Sequence, residues 1–131
     1  MIEMAVTSEQ TIDRVHVAIQ KAQKRVFQVV AFNTRKSAID SIQSAEGPSA
    51  PGTPPHTHRR AFLRRAILYA ADAEGAVIGP RASVVGTAGQ AHEFGGQYGD
   101  EVFPQRPFMR PALDKNLDRF ANEWRGSVFD Q

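Results

Sequence analysis

Hydrophobic positions sort the chain into two long helical stretches with short, Gly- and Pro-punctuated segments between them. Ile12, Val15, Ile19, Ala22, Val26 and Val29 follow one another at alternating steps of three and four. That spacing sets them on one stripe of an α-helix. Arg14, Gln20, Lys21, Lys24, Arg25 and Gln28 take most of the remaining surface. Thr7-Ser8-Glu9-Gln10 reads as the start, a hydroxyl cap followed by side chains able to return to free backbone N–H groups. The pattern runs to about Ile42, with Asn33-Thr34 as its weakest point, a kink or a break. Val17, Phe27, Val30 and Phe32 widen the apolar face beyond what one packing partner needs. The helix is therefore expected to meet a neighbouring subunit as well as its own domain, the alternative being a bent helix that wraps its own sheet.

The stretch SAEGPSAPGTPP, residues 44–55, has no periodicity and is dense in Gly, Pro and Ser. Pro fixes φ and removes a donor, so an extended arm or loop over 44–58 is expected rather than a sheet interior. Ala66–Ala71 and Gly75–Pro80 flank Asp72-Ala73-Glu74 and predict a hairpin. Ser83–Gly86 reads as a third short strand or a turn. Ala88–Phe94 reads as a helical turn closed by Gly95-Gly96, and Glu101–Phe103 as a strand blocked at Pro104. Arg106-Pro107-Phe108 opens the last helix, in which Pro111 fits only if it falls within the first turn. Leu113, Leu117, Phe120 and Trp124 recur at four, three and four and, with Phe108, are expected to anchor that helix; Gly126 stops it. The predicted fold class is α+β: a long N-terminal helix, a small antiparallel sheet and a C-terminal amphipathic helix, in a single domain over residues 1–131.

Composition narrows the chemistry. The absence of cysteine removes disulfides, thiolate metal sites and a cysteine nucleophile. Met1-Ile2-Glu3-Met4 places an acid where a signal peptide is basic, and no segment approaches the ~20 apolar residues of a membrane span. A soluble protein made inside a cell, with no membrane partner, is the expectation. The net charge is only +2, from 16 Lys+Arg against 14 Asp+Glu. Its distribution says more: Arg59, Arg60, Arg64 and Arg65 cluster beside His56 and His58, whereas Glu93, Asp100, Glu101, Asp114 and Asp118 gather later. Such an offset suits contacts between subunits, and equally suits ordinary solvated faces.

Candidate sites are few. His56 and His58 share one side of an extended segment and could hold a metal only with a third ligand such as His92 or Glu93. The adjacent pair His92-Glu93 points in different directions on a helix. No serine lies in a nucleophile elbow, and Gly86, Gly89, Gly95, Gly96 and Gly99 are too irregular for a phosphate cradle. No catalytic residue, metal ligand or cofactor site is assigned, and the chain is read as a non-enzyme. The arginine cluster supports the alternative reading, a nucleic-acid-binding module, with His58, Phe62 and Tyr69 available for stacking. If the cluster runs into a strand, alternation sends Arg64 and Arg65 to opposite faces.

The order of motifs then carries a resemblance. Pro51-Gly52-Thr53-Pro54-Pro55-His56 is followed by a hairpin ending Val77-Ile78-Gly79-Pro80, then by His92-Glu93-Phe94-Gly95-Gly96 and Pro104-Gln105-Arg106-Pro107-Phe108-Met109-Arg110-Pro111-Ala112-Leu113. Over approximately residues 51–124 this resembles the neck and tail-completion family of long-tailed bacteriophages, also described as virion morphogenesis or head–tail connector proteins. The resemblance implies a small α+β subunit without catalytic residues, assembling into a homo-oligomeric ring, commonly sixfold, at the head–tail junction of the virion. Assembly would take place in the host cytoplasm. Implied partners are other copies, the neck, head-closure and tail-tube proteins, and packaged DNA passing through the lumen. Tail completion, terminator and head closure are not distinguished. Arg59-Arg60-Ala61-Phe62-Leu63-Arg64-Arg65 is more basic than that pattern, so Arg59, Arg60, Arg64 and Arg65, with Pro54 and Pro55, are candidates for subunit or DNA contact.

Overall fold

A computed structural model describes residues 2–58 and 60–128. Its elements in chain order are α1 (Ile2–Ser41), β1 (Gln43–Ser44), β2 (His56–Thr57), α2 (Phe62–Ala66), β3 (Ile67–Ala71), β4 (Ala76–Pro80), α3 (Ala82–Val85), α4 (Ala88–Phe94), β5 (Gly96–Tyr98), β6 (Glu101–Phe103) and α5 (Met109–Trp124). The class is α+β, with a long first helix and an amphipathic last one. The strands form three separate pairs: the antiparallel hairpins β3–β4 and β5–β6, and a two-residue parallel pair β1–β2.

α1 begins at Ile2, upstream of the expected Thr7-Ser8 cap. A hydroxyl residue caps only where the preceding backbone leaves the helix, and Glu3, Met4 and Ala5 are good helix formers. The helix also passes through Asn33, whose Nδ2 donates to the Val29 carbonyl at 2.8 Å. Its buried row is Ala22, Val26, Val30, Thr34 and Ala38, continuing past the helix end to Ile42, all in steps of four. At about 100° per residue each such step advances the row by about 40°, so it winds around the helix and lets α1 meet both α5 and the β3–β4 hairpin.

α5 lies antiparallel to α1, with Asn116 Nδ2 donating to Ser37 Oγ at 3.0 Å and Phe120 and Trp124 stacked around Phe27. Its inward row also steps by four, through Phe108, Ala112, Asn116, Phe120 and Trp124. Phe108 is 0% exposed, whereas Leu113 and Leu117 are 37% and 51% exposed. Phe108, Phe120 and Trp124 lie on the packed face, whereas Leu113 and Leu117, expected beside them as anchors, are exposed. The small Ala112 allows close approach, and Asn116 is admitted because Nδ2 also reaches the Ala112 carbonyl at 2.7 Å. The main core closes where Ala38, Ile42, Leu63, Ile67, Phe108 and Ala112 meet.

Two segments, one on each side of the β3–β4 hairpin, are helical turns. Phe62–Ala66 is a helical turn and not the approach to a strand, so strand alternation does not separate Arg64 from Arg65. It follows Ala61, which holds a left-handed φ of 52°. Residues 82–85, for which the sequence allows a strand or a turn, form a helical turn, the Arg81 carbonyl accepting from both Val84 and Val85. The Pro-rich stretch folds back on its own chain. The Gly52 N–H donates to the Gln105 carbonyl at 2.8 Å, Arg106 Nε donates to the Ser49 carbonyl at 2.8 Å, and Pro55 is fully buried. Proline blocks regular pairing but leaves isolated carbonyls free to accept such bonds.

Candidate assembly interface

The best-satisfied polar joint lies where α4 meets the start of α5. Glu93 Oε2 accepts from the N–H groups of Phe108 and Met109, and Oε1 from that of Arg110, each at 2.9 Å. Pro111, the third helical residue, has no N–H to satisfy. The carboxylate thus completes the helix start and faces the positive end of its dipole, which compensates its burial. Gly95 holds a φ of +64°, and a side chain there would meet the Gln105 N–H and the Phe103 carbonyl. The next strap is held from the same helix: Gln105 Nε2 donates to the Glu93 carbonyl at 3.1 Å and the Arg106 N–H to the His92 carbonyl. Burial, and secondarily the Arg106 guanidinium, hold the His92 pKa below its ordinary 6.5.

This joint has little left for chemistry. Glu93 is occupied as a cap and is not available as the acid of a His92-Glu93 pair. A groove of about 760 Å³ beside it, between Ile78, Pro80, Gly89, Phe94, Met109 and Leu113, is mostly apolar. His56, His58 and His92 all line a second depression, yet no group of three or more His, Asp or Glu among the described residues is arranged to hold a metal.

The arginine candidates are dispersed by exposure. Arg60 and Arg65 are exposed, Arg64 is half-buried with Nε enclosed and unpartnered, and Arg59 lies outside the described residues. Pro54 is half-buried, and Pro55, being buried within the protomer, cannot serve as a contact for another subunit. Among the described residues the one ion pair is Arg110–Asp114, whose side chains are 75% and 52% exposed. The other acids and arginines described here are not neutralised by close pairs within the protomer.

Two apolar surfaces are left uncovered by the described residues. From Glu9 to Lys21 no residue of α1 is buried, and Ile12, Val15 and Ile19 are 64%, 44% and 38% exposed. Toward the N-terminus of α1, Trp124 packs edge-on against Phe27 and Ala22 is the last buried residue. The second surface is the outer face of the β3–β4 hairpin. Register pairs Leu68 with Gly79 and Ala70 with Val77 on that face, while Ile67, Tyr69 and Ile78 turn toward α1. Leu68 is 44% and Val77 77% exposed. The sequence pattern put Ile12, Val15 and Ile19 on the α1 stripe but looked for excess width at Val17, Phe27, Val30 and Phe32. Of these, Phe27 packs on α5, Phe32 packs on Tyr69 and Val30 is buried. The pattern missed the hairpin surface, because an apolar hairpin reads the same whether one face or both are covered. Compared with protein-family models, curated proteins and solved structures, the chain matches none.

Proposed function

We propose that this chain is a structural subunit of a homo-oligomeric ring at the head–tail junction of a tailed bacteriophage, in a neck or tail-completion role, and that it has no catalytic task. The observation that carries the self-assembling part is the stretch Glu9–Lys21 of α1, a helix segment with an apolar stripe and no covering element among the described residues of its own protomer. An isolated helix of about 12 residues is marginal in water, so a covering partner would stabilise it appreciably. The phage assignment rests on the ordered motifs between residues 51 and 124. The occupied state of Glu93 and the lack of a converging acid, base and nucleophile among the described residues support a structural role. Heterologous contacts between identical subunits close into a ring when each protomer carries two different complementary faces.

Native mass spectrometry of the purified chain should give one closed stoichiometry, six copies being expected. Particles of the phage that encodes it should contain the chain at the junction. A chain monomeric at every concentration and missing from purified particles overturns the proposal.

A second reading, nucleic-acid binding through the arginine cluster, is favoured by the exposed and unpaired Arg60 and Arg65. It requires DNA binding that weakens steeply with salt and is lost with Arg60→Ala and Arg65→Ala. Absence of binding at low salt removes it.

A further inference from the structure

We propose that in the assembled protein the Glu9–Lys21 segment of one copy lies across the outer face of the β3–β4 hairpin of the next. This rests on the reading of the chain as a homo-oligomer and specifies the contact that builds it.

Four observations converge. First, both surfaces are apolar and uncovered: Ile12, Val15 and Ile19 on the helix, Leu68, Ala70 and Val77 on the hairpin. Neither hairpin strand contains a charged residue, although a two-stranded hairpin open to water on one face normally carries polar residues there. Second, the lengths match. Thirteen helical residues span about 20 Å, and the five-residue strands about 17 Å. Third, charge sets the direction. The segment is net acidic at its start, with Glu9 and Asp13 against Arg14, and basic at its end, with Lys21 followed by Lys24 and Arg25. The hairpin is acidic at its turn, with Asp72 and Glu74, and basic at its base, with Arg65 and Arg81. Laying the basic end of the helix at the turn places opposite charges together at both ends, and reversing it places like charges together.

The fourth observation is the inner face of the same hairpin, which already packs on α1 of its own protomer, with Tyr69 edge-on to Phe32 at 6.5 Å and Arg35 Nε donating to the Ile67 carbonyl. The contact with the next copy would repeat that helix-on-sheet packing on the opposite side, making a helix–sheet–helix sandwich. The two surfaces are different parts of the chain, so each copy gives one segment and receives another. That is a heterologous contact able to close a ring.

The chain contains no cysteine, which makes site-directed cross-linking clean. Val15→Cys and Val77→Cys alter exposed residues, so both variants should fold. They are mixed before assembly and treated with a bis-maleimide whose spacer is about 10 Å, the spacing of packed layers. The expected result is a covalent dimer in the mixture and none with either variant alone. Adding Ile12→Glu and Ile19→Glu to the Val15→Cys chain should abolish the dimer. A dimer from Val15→Cys alone means that the helices pair with each other, and one from Val77→Cys alone means that hairpins meet face to face; either overturns the proposal. No cross-link from a sample that native mass spectrometry shows to be oligomeric overturns this contact while leaving the oligomer standing. A monomer at all concentrations overturns both.

Discussion

Glu93 caps a helix that it does not belong to, and its two oxygens accept all three N–H groups offered at the start of α5. Glu93→Gln keeps the shape but turns one acceptor into a donor facing other donors. It should lower stability by about 2 kcal/mol in urea unfolding, with Glu93→Ala costing more. The neighbouring His92 sets a pH response. Its folded pKa lies below 6.5, chiefly through burial, so below that pH the unfolded chain binds a proton that the folded chain resists. Full stability is present above pH 6.5 and is lost as pH falls toward the folded value. The urea midpoint of the natural chain should therefore drop between pH 7.5 and 5.5 by more than that of His92→Gln. Equal drops would show that burial of His92 is not the cause. The sequence offered His92-Glu93 as adjacent acid and base, a pair set aside because neighbours on a helix point different ways. It concealed the cap, because the groups that Glu93 serves lie 15 to 17 positions away.

Helix identity was legible at the element level, whereas the choice of buried face was not. The leucines of α5 form the more hydrophobic stripe, yet the row through Ala112 and Asn116 turns inward, since a small residue and a hydrogen-bonded amide permit closer helix contact. Phe108→Ala should cost about 3–5 kcal/mol, and Leu117→Ala within about 0.5 kcal/mol in the isolated protomer; thermal unfolding of the two variants separates them. Comparable losses would mean that the leucine row is the buried one. Gly95→Ala combines a left-handed backbone with a clash against the Phe103–Gln105 backbone, so it should destabilise at least as much as losing a good helix cap, about 1–2 kcal/mol. Of the two readings open for residues 83–86, strand or turn, the chain takes a helical turn for a local reason. After Pro80 the chain must reverse toward α4, and the Arg81 carbonyl offers two successive N–H groups a local partner.

For the whole molecule, the charge offset seen along the sequence is not taken up by close pairs among the described residues, where the one ion pair is exposed; under the proposed contact it acts between copies. Reversing the hairpin turn with Asp72→Lys and Glu74→Lys should weaken assembly, and Lys21→Glu with Lys24→Glu should restore it when the two chains are mixed. Sedimentation at low and high salt reads the effect. Rescue that is absent, or insensitive to salt, would exclude charge as the source of direction.

Local rules were enough for the α+β class, the long first helix, the hairpin about residues 72–75, the last helix and the lack of any cysteine chemistry, because periodicity and turn residues act over a few positions. Tertiary structure decided which stripe of α5 is buried, that the Pro-rich stretch docks on its own chain, and that Glu93 is a cap. It also decided that an apolar helix segment and an apolar sheet face remain uncovered. Each of these depends on which distant surfaces meet, and a hydrophobic pattern marks a face as apolar without saying what will lie against it.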